Sequence, residues 1–113
     1  MKEPAWENHF NSAITVCDKD GVILSMNEKA ARTFAAQGGA TLIGKSLFNC
    51  HKDSSTEKIR HLLETGLSNT YTIEKKGIKK LIHQAPWYEN GQVAGLVELS
   101  IEIPLEMPHF VRS

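Results

Sequence analysis

The stretch AITVCDKDGVILSMNEKAARTF, residues 13–34, decides how this chain begins to fold. Two short, partly β-branched runs flank the turn Asp18–Gly21, whose final Asp-Gly pair suits a hairpin because such turns need residues that tolerate positive φ. Asn27 follows the second run and is predicted to cap a helix over Glu28–Ala36, its side chain accepting a free backbone N–H. The strands predicted on this basis are Ala13–Cys17 and Val22–Met26.

A second, longer helix is predicted in the middle of the chain. Ser54 and Glu57 have the capping-box spacing, in which each side chain bonds the backbone N–H of the other residue. Apolar residues then share one helical face, and Gly66 is placed to end the helix. These apolar residues are Ile59, Leu62, Leu63 and Leu67. The preceding segment, Leu42–His51, has no clear period and is interpreted as short helical turns.

Three strands are predicted to complete the chain. Lys75-Lys76-Gly77 and Asn90-Gly91 are the turns between them, and Pro86 marks an edge or a bulge because it cannot donate to a ladder. The last strand alternates, with Glu98, Ser100 and Glu102 on the face opposite its apolar residues. The predicted strands are Thr70–Glu74, Ile78–Tyr88 and Gln92–Ile103. This order favours an α+β domain: a five-stranded antiparallel sheet with several short helices packed on one face.

Length and composition restrict the class of protein. The chain has 113 residues, 41% of them hydrophobic and 23% charged, which is typical of one globular domain with its own core. Thirteen basic residues balance thirteen acidic ones, so a nucleic-acid footprint is not expected. Two cysteines cannot form a disulfide framework, and no apolar run is long enough to span a bilayer. We expect a cytoplasmic protein with reduced thiols that contacts neither nucleic acid nor membrane.

Taken in this order, the segments resemble a PAS domain. The residues that carry the resemblance are the opening hairpin and helix quoted above, LIGKSLFNCH at 42–51 and GQVAGLVELSIEI at 91–103. The stretch FNCHKDSSTEKI is similar to a bacterial subgroup with Asn-Cys-His-Pro-Pro-x-Ser, although Lys52 stands at the usual first proline. The resemblance divides the chain into an N-terminal flanking segment (1–12), a PAS domain (13–103) and an extended C-terminal tail (104–113).

The PAS resemblance implies a cavity between the inner face of the sheet and the helices. Such a cavity holds a small ligand or cofactor, while the outer face of the sheet can pair with a second copy. By pattern and family position, the expected wall consists of Phe34, Leu42, Leu47, Leu63 and His83, with His51 at the rim. Each of these residues also suits an ordinary place in the core.

Haem and flavin are the cofactors that the resemblance makes worth weighing. Cys50 and His51 are the candidate haem ligands, since either side chain can bind iron. His61 is a poor candidate because it falls well away from the apolar stripe of its helix. In light-sensing relatives a reactive cysteine attaches to flavin, and alignment on Gly44 puts Leu47 at that position. Non-covalent flavin binding stays open, but no cofactor is the leading expectation.

Catalytic motifs are missing from the sequence. Cys50 and His51 are adjacent and therefore point in different directions, and no third group is apparent to orient a base. No metal-ligand spacing such as CxxC is present either. We therefore expect a small stand-alone, non-catalytic bacterial module in signal transduction or regulation of transcription. It would bind a small molecule or a separate signalling protein and form a homodimer; the alternatives are a haem or flavin sensor and a ligand-free dimerisation domain.

Overall fold

The computed structural model describes residues 4–49 and 53–113. Five antiparallel strands form one sheet in the spatial order β2-β1-β5-β4-β3. They are β1 (Ala13–Asp18), β2 (Ile23–Met26), β3 (Asn69–Lys75), β4 (Ile78–Glu89) and β5 (Gln92–Ile103). The predicted α+β class and five-stranded sheet are confirmed, and each strand lies within about two residues of its predicted position.

The helices are short and lie between β2 and β3, apart from one turn at the N-terminus. Two are α-helical: α1 (Glu28–Thr33) and α2 (Asp53–Thr65). Turns of 3₁₀ helix occupy Trp6–His9, Ala35–Gln37, Gly39–Leu42 and Leu47–Asn49. No helix in the described part of the chain is long and apolar enough to cross a membrane.

The helix caps were predicted with mixed success. Asn27 caps α1 as predicted, its Oδ1 accepting the Ala30 N–H at 2.9 Å. The α-helix ends at Thr33 and not at Ala36, because the chain tightens into the 3₁₀ turn Ala35–Gln37 before the left-handed Gly38. The helix α2 (Asp53–Thr65) includes Ser54, which the predicted capping box places before the first helical residue.

Asn27 also fastens the N-terminal segment to the sheet. Its Oδ1 accepts a second hydrogen bond from the Ile14 N–H at 2.9 Å. Its Nδ2 donates to the carbonyl oxygens of Glu7 at 2.9 Å and Ser12 at 2.8 Å. One buried side chain therefore joins the first 3₁₀ turn, β1 and α1 through four backbone groups.

The register of the strands assigns each residue of β5 to one of two faces. Thr15 pairs with Glu98 and Cys17 with Leu96, and the core cluster unites Cys17 and Leu96 with Ile59 and Leu62 of α2. The helices therefore cover the face that carries Leu96 and Glu98, which we call the inner face. The alternating apolar residues of β5 lie on the opposite, outer face, where they are half-buried. These are Val97, Leu99, Ile101 and Ile103.

Pro86 lies where β4 loses one of its neighbours. Pairing with β3 ends at Gln84, two residues earlier, while pairing with β5 continues. The register against β5 then shifts between Trp87 and Tyr88. The predicted edge or bulge is thus found, because β4 is locally an edge strand there and no ladder bond to β3 is lost.

Candidate ligand cavity

A cavity of about 250 Å³ lies between the inner face of the sheet and the helical segments. β1 and β5 form its floor, and the 3₁₀ turns after α1 and before α2 form much of its roof. The lining residues are Thr15, Cys17, Ile23, Met26, Phe34, Gln37, Leu42, Leu47, Ile59, Leu96 and Glu98. Most of them are apolar, and the cavity volume equals that of about eight water molecules.

The deep end of this inner cavity is apolar and closely packed. Cys17 is 1% exposed and belongs to the core cluster with Ile59 and Leu96. Burial raises the pKa of the Cys17 thiol, and the neighbouring Asp18 and Glu98 carboxylates act in the same direction. The thiol is therefore protonated at neutral pH and contributes to the wall as a small apolar group.

One side of the cavity is polar and is held by a chain of side-chain hydrogen bonds. Asn69 Nδ2 donates to Gln84 Oε1 at 3.1 Å, and Gln84 Nε2 donates to Glu98 Oε2 at 2.7 Å. The chain crosses three neighbouring strands on the inner face, and Gln84 in its middle is 6% exposed. Glu98 is therefore held with its carboxylate at the cavity wall.

Thr15 is the second polar group of the floor and lies directly opposite Glu98 in the β1–β5 ladder. It is 8% exposed and lines the cavity. Its hydroxyl has no hydrogen-bond partner among residues 4–49 and 53–113. The hydroxyl is therefore not sealed in the core but reaches the cavity space, where water or a ligand can bond to it.

A wider, more open space, which we call the outer groove, adjoins the inner cavity. It measures about 500 Å³ and shares Phe34, Ile59 and Glu98 with the cavity. Tyr71 of β3 lies in this groove, where burial and the Glu98 carboxylate raise the pKa of its phenol. Glu98 thus stands at the boundary between the inner cavity and the wider, more open groove.

Several of the predicted wall residues meet at this cavity. Phe34, Leu42 and Leu47 line it together, each from a different helical segment or its boundary. Leu63 is only partly buried and packs against the core cluster without lining the cavity. His51 and Cys50, predicted at the rim and as haem ligands, lie outside the described residues.

His83 requires a correction, because it lies on the outer face of the sheet. It pairs with Leu99 of β5, whereas its neighbour Gln84 pairs with Glu98 and points to the cavity side. Its Nδ1 lies 2.7 Å from the Thr70 hydroxyl on β3. Leu81 and Ala85 lie on the same outer face, since they pair with Ile101 and Val97 of β5.

The described wall does not fit haem. Among residues 4–49 and 53–113 no histidine lines the cavity, and His61 lies in a separate surface groove with Glu57 and Arg60. Cys17 is the one cysteine described, and its raised pKa opposes the thiolate that iron prefers. No three side chains of His, Cys, Asp or Glu converge on a metal position within the described part of the chain.

Sequence reasoning missed the polar wall. Thr15, Gln84 and Glu98 were not candidates, because the polar residues of β5 were set apart from its apolar side, which normally faces a core. The available signal was that Glu98 interrupts a nearly apolar stretch, 93–101, at a strand centre. Charged residues are rare at such positions unless they have a role.

The sequence matches the PAS fold family over residues 8–104. A comparison with curated protein sequences finds no significant match.

Solved structures agree with this match. The Aer2 receptor from Vibrio cholerae, a dual PAS-heme oxygen sensor, has a TM-score of 0.61 at 16% identity, covering 82% of this chain and 95% of that one. A sensory box sensor histidine kinase from the same organism has a TM-score of 0.64 at 18% identity, with 83% of each chain covered. VqmA bound to DPO has a TM-score of 0.67 at 15% identity, covering 87% of this chain and 54% of that one. At these identities the likeness shows the fold alone.

Proposed function

The chain belongs to the PAS fold family, and on that premise we propose that it is a non-catalytic sensory module that binds a small molecule in the inner cavity and forms a homodimer. A separate signalling protein would receive its output. The observation that carries ligand binding is the partly enclosed cavity of about 250 Å³, apolar at depth and polar on one side. Small-molecule sites have this character, with a few polar groups that set orientation. VqmA bound to DPO and the haem sensor Aer2 support ligand binding in structures of this shape.

Ligand binding is tested by filling the cavity. Leu42→Trp adds bulk at a buried lining position, whereas Leu67→Trp adds the same side chain at an exposed position. Native mass spectrometry and a UV–visible spectrum of freshly purified protein should show an extra mass in the parent chain and in Leu67→Trp, and none in folded Leu42→Trp. A haem or flavin absorption band would show that the bound molecule is that chromophore and not a colourless metabolite. A bare mass throughout, with no thermal shift from a metabolite extract, would favour the ligand-free dimerisation domain.

Dimerisation is proposed through the outer face of the sheet. Val97, Leu99 and Ile101 of β5 are half-buried there beside Ile14 and Val16 of β1. The N-terminal segment adjoins the two β1 residues, and α2 packs on the inner face. A sheet face of this kind can meet its own copy about a two-fold axis, burying the same patch on both subunits. The zero net charge of the chain means that two copies do not repel each other at long range.

The dimer is tested by placing charge on this face. Leu99→Arg should convert the dimer to a monomer in analytical ultracentrifugation, because two like charges would meet across the axis. Val111→Arg, at a position 89% exposed in the tail, is the matched control and should leave the dimer intact. A parent chain that sediments as a monomer at 100 µM would refute this part of the proposal.

A further inference from the structure

The charge of Glu98 is uncompensated. Its Oε2 accepts one hydrogen bond, from the neutral Gln84 amide at 2.7 Å. No basic nitrogen of residues 4–49 and 53–113 lies within 4.0 Å of the carboxylate. The side chain is half-buried at the cavity wall, where a carboxylate has lost part of its hydration. Such a group is strongly attractive to a cation that also fits the cavity.

A glutamate is not what this position needs for folding. A glutamine would place an amide oxygen within reach of the same Gln84 donor and would carry no charge to desolvate. The β1–β5 ladder is made by backbone groups and does not depend on the carboxylate. The charge is therefore not required by the fold and is available to a cation that enters the cavity.

Thr15 supplies a second polar contact at the same place. It faces Glu98 directly across the two strands, a position in which side chains of an antiparallel pair touch, with Cβ atoms about 5 Å apart. Its hydroxyl opens onto the cavity and has no hydrogen-bond partner among the described residues. A head group with several N–H donors can give one to the carboxylate and another to the hydroxyl oxygen.

The rest of the cavity determines the size and polarity of the part of the ligand beyond its head group. Phe34, Leu42 and Leu47 surround the polar pair with apolar surface, and the volume of about 250 Å³ accommodates a compact molecule. Building on the ligand binding proposed above, we infer that the inner cavity takes a small organic amine or amidine, its cationic head on Glu98 and Thr15 and its apolar body against these side chains.

Two lysines have to be considered beside this site. Lys58 of α2 and Lys80 of β4 line the outer groove, which Glu98 also borders, but neither lines the inner cavity. Their charges weaken the attraction of Glu98 for a cation without pairing with its carboxylate. An amine seated on the Thr15 side of Glu98 is separated from them by the glutamate itself.

Matched probes test the head group. Benzylamine, benzyl alcohol and benzoate share one ring and nearly one size and differ in charge at neutral pH. Titration of ¹⁵N-labelled protein, followed by two-dimensional NMR, should give benzylamine at least tenfold tighter binding than benzyl alcohol, with benzoate weakest. A hydrogen bond to a charged group contributes this much when it is shielded from water.

Variants identify the residue responsible. Glu98→Gln should weaken the binding of benzylamine at least tenfold and leave the affinity for benzyl alcohol within twofold of the parent value. Thr15→Val should weaken the binding of benzylamine severalfold. Glu102→Gln removes a more exposed carboxylate four residues along β5 and should change the affinity for neither probe. If Glu98→Gln loses its dispersed spectrum, Thr15→Val carries the test alone.

The outcomes separate this inference from the function on which it depends. Equal binding of benzylamine and benzyl alcohol, with shifts at the cavity residues, would overturn the amine class and leave ligand binding standing. Benzylamine binding that survives both Glu98→Gln and Thr15→Val would overturn it as well. The absence of binding by all three probes, with no ligand retained on purification, would overturn the inference together with the proposed function.

Discussion

The indole nitrogen of Trp87 donates a hydrogen bond to the carbonyl oxygen of Cys17 at 3.0 Å, reaching from β4 across β5 to β1. The ring passes over Gly95, where a Cβ atom would lie 2.6 Å from Nε1 and would also collide with the Cys17 carbonyl oxygen. Three adjacent strands are thus tied together at the end of the sheet that bears the cavity. The glycine is required by this close approach and not by a left-handed backbone.

Gly95→Ala should therefore be strongly destabilising. The added methyl group meets the backbone of β1, including the Asp18 Cα at 2.9 Å, and a paired strand cannot move aside cheaply. We expect a loss of about 3 kcal/mol in the free energy of unfolding, measured by urea denaturation. Trp87→Phe keeps one aromatic ring and removes the pyrrole ring with its donor, so it should cost less, about 1–2 kcal/mol. Similar small losses for both variants would contradict the proposed collision.

Thr15→Val should stabilise the ligand-free protein. The two side chains have nearly the same shape, and the hydroxyl that is removed opens onto the cavity without a partner among the described residues, at a residue that is otherwise buried. We expect a gain of about 1 kcal/mol, seen as a higher midpoint in thermal or urea unfolding. Thr72→Val, on the exposed side of β3, is the control and should change stability by only a few tenths of a kcal/mol. A loss of stability on Thr15→Val would mean that the hydroxyl is already satisfied.

Asn27→Ala should unfold the N-terminal side of the domain. The substitution removes the cap of α1 and the bonds to Ile14, Glu7 and Ser12 together. A cap alone contributes about 1 kcal/mol, and the stranded buried backbone groups raise the expected loss to about 3 kcal/mol. Asn8→Ala removes an exposed amide in the adjoining turn and serves as the control. Hydrogen exchange should accelerate at Ile14 and Ala30 in Asn27→Ala and remain unchanged in Asn8→Ala.

The raised pKa of Cys17 predicts a fall in stability at alkaline pH. Between the ordinary thiol pKa, about 8.5, and the raised value, the unfolded chain releases its proton while the folded chain keeps it. The unfolded state then binds fewer protons, so the free energy of unfolding decreases as pH rises through this window. Below it the thiol is neutral in both states and has no effect.

The measurement compares Cys50→Ser with Cys50→Ser/Cys17→Ala at a series of pH values. The stability difference between the two should be constant up to about pH 8 and shrink steadily above it. Tyr71, whose pKa is also raised, is present in both proteins and cancels. A difference that stays constant to pH 10 would show that the Cys17 thiol is not kept neutral by burial.

The candidate site was predicted only in part. Phe34, Leu42 and Leu47 were placed at the cavity because they are apolar residues in segments whose order matched a known family. Glu98 and Thr15 were not, because nothing in β5 or β1 alone indicates that their polar positions face the helices. Leu63 and His83 show the converse error. Both were expected at the cavity wall, but Leu63 packs against the core cluster and His83 lies on the outer face of the sheet.

The sequence by itself determined the elements that depend on neighbouring residues. The Asp20-Gly21 turn, the Asn27 cap and the two-residue alternation of β5 are local, since each involves backbone groups a few positions apart. Alternation establishes which side chains share a face, but it is symmetric between the two faces of a sheet. The tertiary structure decided which face the helices cover, through the path of the chain after β2 and the packing of Ile59 and Leu62 on Cys17 and Leu96. That choice put Glu98 and Thr15 at the cavity and Leu99 and His83 on the outer face. Contacts between residues far apart in sequence, and not local preference, select which face of the sheet the helices cover.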